Sequence, residues 1–242
     1  MTITTKKIYF ISGTMCDERL WTNAWKSLST LLPASTEFIH LPIPSLKTID
    51  EITEHLSQPI SDSSYLVGFS LGGYLASNIA LKHPDKIAKL LLVSNMSSAL
   101  PEKEKKERAR TIQWIKSNGY SGIPDKRIHH LLHPSAHTNE LIKQTIRAMD
   151  QTLGKNVLLH QLDVTTQRKN LLPELFKLNC PIKFCVGDSD CLVKLSRIEK
   201  QIDEAITQNK TLKILKNTGH MLPLEQPQLL AHTISEWFLD PS

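Results

Sequence analysis

Gly68-Phe69-Ser70-Leu71-Gly72-Gly73 is the stretch that decides the fold. It ends the apolar run from Tyr65 to Phe69 and opens a helical pattern carried by Tyr74, Leu75, Ile79 and Ala80, so a strand becomes a helix at Ser70. Small residues stand two positions either side of the serine, as a strained strand-to-helix turn requires when it brings two backbones too close for larger side chains. Such a turn holds the Ser70 hydroxyl above the sheet edge. The new helix aims its first amides at the same place, which makes the N–H of Leu71 a candidate donor to a developing oxyanion.

Outward from this turn, short apolar runs alternate with helical patterns, the signature of a parallel sheet built from βαβ units. Strands are predicted at Ile8 to Ser12, Glu37 to Leu41, Tyr65 to Phe69, Ile87 to Val93, Ile182 to Val186 and Leu212 to Leu215. Helices are predicted at Asp17 to Leu31, with Asp17 as N-cap, and at Ile49 to Leu56, Leu71 to Lys82, Leu195 to Ile206 and Pro227 to Leu239. Between the fourth and fifth strands no strand pattern occurs, and Pro101, Gly119, Gly122, Pro124, Pro134, Gly154 and Pro173 punctuate several helices. An insertion of that size at one crossover reads as a helical cap. The expected division is a core of residues 1–95 and 171–242 with a cap of residues 96–170.

A serine hydroxyl is a weak nucleophile and needs a base, which this architecture places last in the chain. Of the ten histidines, His220 alone stands in the loop directly after the last strand, in Asn217-Thr218-Gly219-His220-Met221-Leu222-Pro223. That is the carboxyl end of the sheet, where open parallel sheets keep their sites. The acid that orients it is expected after an intervening strand, and Gly187-Asp188-Ser189-Asp190 offers Asp190 as first choice and Asp188 as second. After the fourth strand stand Ser94 and Asn95, with no carboxylate. A second oxyanion donor is expected in Ser12-Gly13-Thr14-Met15-Cys16, with the Thr14 amide first and Met15 next. Cys16 follows a strand instead of an elbow and reads as a wall residue.

These motifs resemble the α/β-hydrolase superfamily, in its broad group of small capped serine esterases and thioesterases. The resemblance covers nearly the whole chain outside the cap, and includes Leu224-Glu225-Gln226-Pro227 after the histidine. The family's acid commonly ends a G-x-x-D pattern, which selects Asp190, and its histidine commonly follows a glycine. The family's oxyanion loop usually carries His-Gly where Ser12-Gly13 stands, and its two leading antiparallel strands have no counterpart, so a trimmed sheet of about six mostly parallel strands is expected. The resemblance implies cleavage of a small-molecule or acyl-chain ester or thioester through an acyl-enzyme, without metal or cofactor. A lyase or carbon–carbon bond hydrolase on the same triad, or a non-catalytic receptor, are the alternatives. Met15, Phe69, Tyr74, Trp114, Leu131 and Met221 are candidates to line an apolar pocket, although apolar residues at helical spacing are more often plain core.

Composition fits a single globular domain: 242 residues, 40% hydrophobic and 22% charged. No apolar run is long enough for a membrane span, and Met1 to Lys7 carries no secretory leader pattern, so a cytoplasmic protein is expected. Four cysteines without paired spacing read as reduced thiols. His129, His130, His133 and His137 are the one grouping with any metal-site character, and Pro134 breaks the geometry a metal would need. The net charge is +5, with Lys103, Lys105, Lys106, Arg108 and Arg110 interleaved among Glu102, Glu104 and Glu107. Mixed signs indicate a solvated helix face, with docking of an acidic acyl-carrier protein as the alternative, and no basic-aromatic strip suggests nucleic acid.

Overall fold

The structure is a computed structural model that describes residues 6–204 and 209–240. The chain begins with β1 (Lys7–Ile11), a 3-10 turn at Glu18–Leu20, α1 (Thr22–Leu31), β2 (Glu37–His40), α2 (Ile49–Ser57) and β3 (Ser64–Phe69). There follow α3 (Leu71–Lys82), β4 (Ile87–Val93), then α4 (Glu102–Asn118), α5 (Asp125–Leu131), α6 (Glu140–Thr166) and α7 (Leu172–Leu175). The chain closes with β5 (Ile182–Gly187), α8 (Leu195–Asp203), β6 (Lys210–Leu215), α9 (Leu222–Glu225) and α10 (Pro227–Leu239).

Six strands form one sheet in the order β2-β1-β3-β4-β5-β6, with every pairing parallel. Successive strand residues point to opposite faces, and both faces are covered by helices, which is why the strands read as continuous apolar runs. Ile8, Phe10, Val67, Phe69, Leu91 and Val93 pack with Leu28 of α1 and Ile234 of α10. Their neighbours Tyr9, Ile11, Leu66, Leu90 and Leu92 pack on the other face with Ile52 of α2 and Leu75 and Ile79 of α3. Parallel pairing brings the carboxyl ends of β1, β3, β5 and β6 to one edge, and the loops that leave them carry the residues singled out above.

The sheet is the six-stranded one expected, without additional leading strands among the described residues. The helix predicted from Asp17 to Leu31 is interrupted: Asp17 accepts from the Arg19 amide and from its guanidinium, closing a separate turn, and α1 starts only at Thr22. That side-chain competition for a backbone donor is what short polar residues do near helix starts. The last strand starts at Lys210, two residues before the predicted Leu212, because Lys210 pairs with Ile182 and buries its ammonium on the carbonyls of Leu178 and Cys180. The predicted end of α8 at Ile206, and residues 1–5 of the stretch examined for a leader, lie outside the described residues.

Between β4 and β5 the chain is helical, as expected for an inserted cap. Its longest element, α6, is bent at Gly154, whose φ of +72° falls in the left-handed region that favours glycine. Among the described residues no helix is long and apolar enough to cross a membrane.

Candidate active site

Ser70 occupies the turn between β3 and α3 with φ +49° and ψ −115°, a conformation a non-glycine residue holds only when its surroundings enforce it. Two glycines make that possible. A Cβ on Gly68 would lie 2.5 Å from the Gly72 carbonyl oxygen, and one on Gly72 would run into the carbonyls of Ile11 and Ser12. The Ser70 amide donates to Val93 O at 2.9 Å, and the Asn95 side chain donates to Ser70 O at 2.7 Å. Asn95 is itself fixed by accepting from the Ser97 amide and hydroxyl at 2.6 and 2.8 Å. Sequence reading noticed Asn95 only as the absence of a carboxylate; it braces the elbow from the neighbouring strand.

The Ser70 hydroxyl oxygen lies 3.0 Å from His220 Nε2, and His220 Nδ1 lies 3.0 Å from each oxygen of Asp190. A carboxylate accepts only, so the pairing puts the imidazole proton on Nδ1 and leaves Nε2 free to accept from the serine. The side chains of His220 and Asp190 are 5% and 0% exposed, so the pair interacts away from bulk water. Burial alone would raise the Asp190 carboxyl, but the charge and hydrogen bond of His220, with the Leu192 amide, outweigh it and hold Asp190 below the usual aspartate value. Asp188 is exposed and turns elsewhere, accepting from the Thr218 amide at 3.3 Å and the Ser189 hydroxyl at 3.2 Å.

The loop carrying His220 is gripped from two sides. The His220 amide donates to Leu131 O of the inserted segment at 2.8 Å, and one oxygen of Glu225 accepts from the amides of both Gly219 and His133, at 3.1 and 2.8 Å. The other Glu225 oxygen is buried without a partner, and burial pushes this carboxyl above its usual value despite the amides that oppose the shift.

Thr14 and Leu71 border the same cavity as Ser70 and His220. Leu71 is the first residue of α3, where the amide has no carbonyl one turn back to bond within the helix. The Met15 amide is committed, donating to Gln161 Oε1 of α6 at 3.0 Å. Cys16 is half-buried and its thiol is pushed up to about 12, chiefly by burial and then by Asp17, so it carries no thiolate for chemistry.

The cavity has a volume of about 90 Å³, well below the roughly 300–1,000 Å³ of drug-sized ligand sites. Its walls are formed by other residues than those expected from sequence. Of the candidate lining residues, Met15, Phe69, Tyr74, Leu131 and Met221 are buried core, and Trp114 is 59% exposed on α4; none of the six borders the cavity. The wall is mixed: beside the apolar Met96, Leu100, Leu192 and Val193 stand four cationic side chains, Arg108, Arg168, Lys194 and Arg197, and one carboxylate, Glu104. Glu104 is already paired with Arg108 at 3.0 Å. Tyr74 and Phe69 act one layer down: the Arg168 guanidinium lies 5.0 Å from the Tyr74 ring centre, and the Phe69 ring lies 5.3 Å from that of His220.

Residues 45–227 match the family described as "Serine aminopeptidase, S33". The chain belongs to that family. Among curated relatives it is 22% identical, over 95% of its length, to the biotin biosynthesis bifunctional protein BioHC of Teredinibacter turnerae, but spans only 44% of that protein. It is also 21% identical to the pimeloyl-[acyl-carrier protein] methyl ester esterase of Pseudoalteromonas atlantica, over 74% of this chain and 70% of that one. Among solved structures, a thermophilic esterase from Thermogutta terrifontis superposes with a TM-score of 0.82 at 21% identity, over 96% of this chain and 89% of that one, which establishes the shared fold.

Within this S33 chain, the residues that sequence reading missed are those reaching in from the insertion. Gln161 holds the loop after β1, and Arg108 and Arg168 enter the cavity. A signal for Arg108 was present: Glu104, Arg108, Ile112 and Ile115 recur at spacings of four, four and three, and Ile115 is the buried residue of α4. Whatever stripe Ile115 belongs to faces the protein. His129 and His137 stack their rings 4.8 Å apart, and among the described residues no group of histidine, cysteine or acidic side chains is arranged to hold a metal.

Proposed function

We propose that the protein is a serine hydrolase cleaving small carboxylic esters or thioesters, with Ser70 as nucleophile, His220 as base and Asp190 as the acid that orients it. The observation carrying this reading is the relay of 3.0 Å contacts from Ser70 through His220 to Asp190 on a strained elbow beside a cavity. Ser70 Oγ attacks the carbonyl carbon as His220 Nε2 takes its proton. The oxyanion collects on the amides of Leu71 and Thr14, and the proton passes to the departing alcohol or thiol. Water, deprotonated by the same Nε2, then attacks the acyl-enzyme and releases the acid. Residues 1–95 and 171–242 form the catalytic core, and residues 96–170 act as a cap that shapes the cavity.

Ester cleavage is favoured over aminopeptidase chemistry by the cavity's charge. An aminopeptidase has to receive the ammonium group of its substrate, whereas this cavity presents four cations and a carboxylate already occupied by one of them. A finer proposal concerns acyl delivery by an acidic carrier. Lys103, Lys106 and Arg110 remain exposed on α4, but Lys105 pairs with Glu102 and Arg108 turns inward, so any docking face is narrower than the sequence suggested. Turnover of a carrier-linked ester should then fall with salt while that of the free ester does not.

The deciding experiment is labelling with a fluorophosphonate alongside turnover of acyl esters, acyl thioesters and an amino-acid anilide. One label at Ser70, lost in Ser70→Ala, with ester or thioester turnover above anilide turnover, is expected. Labelling elsewhere, or anilide as the preferred substrate, would overturn the reading.

A further inference from the structure

Arg168 is half-buried, and the protein engages only part of its guanidinium. Its Nε donates to Ser98 O at 2.9 Å and its plane lies over Tyr74. Among the described residues no carboxylate is within ion-pair distance of it, and its two terminal amino groups have no hydrogen-bond partner. Burial, followed by the charge of Arg108, depresses it to about 10. Arg108 is more nearly satisfied, since Glu104 accepts from its Nε and one amino group while Thr165 accepts from the other at 3.0 Å. Both arginines border the same cavity of about 90 Å³ as Ser70, His220, Thr14 and Leu71. Lys194 and Arg197 add positive charge from the α8 side and have no carboxylate partner among the described residues.

We infer that the cavity is built for a short substrate whose non-reacting end carries a carboxylate, received by the terminal amino groups of Arg168, with Arg108, Lys194 and Arg197 supplying the surrounding positive charge. A planar guanidinium fork matches a carboxylate with two parallel hydrogen bonds, which a neutral acyl tail cannot offer. Tyr74 below and the Ser98 carbonyl behind fix the fork's plane, so it is held in place before substrate arrives. Arg168 and Ser70 border one cavity, so the chain length of the preferred substrate reads the separation between the anchored carboxylate and the carbonyl over Ser70. This inference rests on the ester-cleaving reading above and names its substrate class.

The test pairs anionic esters with neutral counterparts. One arm compares monoethyl malonate, succinate, glutarate and adipate with the corresponding diethyl esters, which places the carboxylate on the acyl side. A second compares O-acetyl glycolate and O-acetyl 3-hydroxypropionate with their methyl esters, which places it on the alcohol side. Expected is a kcat/KM ratio of anionic to neutral ester of at least about tenfold in one arm, falling toward one in Arg168→Gln and partly restored in Arg168→Lys. Because intrinsic ester reactivity is the same for both enzymes, it cancels when the ratios are compared. A merely structural loss lowers both members of a pair together and leaves their ratio unchanged. That result would overturn the inference, as would equal ratios in wild type and Arg168→Gln. Calorimetric binding of glutarate and of its dimethyl ester to wild type and Arg168→Gln reads the anion site without turnover. Binding of glutarate that disappears in Arg168→Gln, without cleavage of any ester, would keep the anion site and sink the hydrolase reading. Cleavage of neutral esters with no such binding and equal ratios would do the reverse.

Discussion

The elbow around Ser70 and the helical insertion between β4 and β5 shape the same cavity by opposite means. At the elbow the shape is enforced locally, since Gly68 and Gly72 have no room for a Cβ and Ser70 is held at positive φ by the strand before it and the helix after it. The insertion acts at long range, through single polar contacts: Gln161 on Met15, Leu131 on His220, and Arg108 and Arg168 in the cavity wall. Chemistry therefore belongs to the sheet edge, while the insertion contributes position and, with Lys194 and Arg197 beside α8, the charge around it. The difference also separates failure modes, because a defect at the elbow removes the reaction and one in the insertion mistunes it.

The sharpest way to break this division is to remove the chemistry while leaving the insertion alone. Ser70→Ala should cost about 10⁶-fold in kcat, the scale on which triads lose their nucleophile. Asp190→Asn should cost roughly 10⁴-fold by leaving His220 in the wrong tautomer, while Asp188→Asn, facing solvent and Thr218, should cost far less. Steady-state kinetics decide the matter, and a larger effect at Asp188 would mean that the buried pairing is not the working one. Gly72→Ala attacks the elbow's shape instead. With its Cβ driven into two carbonyls, we expect destabilisation above about 4 kcal/mol, read as a large fall in the denaturation midpoint.

The same contrast explains how much could be read from the sequence. The strands, the elbow and His220 are written in local patterns, because glycine spacing and continuous apolar runs follow from backbone geometry and burial on both faces, whereas the preference for Asp190 over Asp188 follows from the resemblance to the family's G-x-x-D pattern. The cavity wall is not local. Phe69, Tyr74, Leu131 and Met221 are apolar because they fill the core, and nothing in their spacing distinguishes core from cavity. Trp114 is turned about 100° around α4 from the buried Ile115 and is exposed, so its size misleads while the modest Arg108 faces inward. Arg168 follows the end of α6, and long-range contacts bring it to Ser70's cavity: Gln161 of α6 on the loop after β1, and its own Nε on Ser98 O after β4. Trp21, between the separate turn and α1, makes a contact of the same kind: its indole donates to Ser12 Oγ at 2.9 Å, a contact between segments that no periodicity encodes.

A smaller effect tests whether the insertion does more than cover the site. Gln161→Leu leaves the Met15 amide buried and unpaired, at about 1–3 kcal/mol, and frees the loop that presents Thr14. If the insertion positions that loop, kcat should fall on the order of tenfold, equivalent to about 1.4 kcal/mol in the barrier. If the insertion were only a lid, KM would rise with kcat unchanged, which a single Michaelis curve at saturating substrate would reveal.

The smallest expected effect lies where the two regions are clamped together. Glu225 accepts from Gly219 next to the base and from His133 of the insertion, and burial raises its carboxyl above the ordinary glutamate value. A raised folded-state value means that the folded protein binds this proton more tightly than the unfolded chain. The resulting stability is present in full below the ordinary glutamate value of about 4.3 and is lost as pH rises through the folded value. Asp190 runs the other way: its contribution is present above the ordinary aspartate value of about 3.9 and disappears as pH falls through its lowered folded value. Glu225→Gln keeps an acceptor oxygen for the two amides but removes the titration. Thermal midpoints of this variant should therefore gain on wild type as pH rises from about 4.3 toward neutrality, whereas Asp190→Asn should lose ground over the range just below it. A difference between Glu225→Gln and wild type that stays flat with pH, or that slopes the other way, would show that the clamp between insertion and sheet carries no proton of its own.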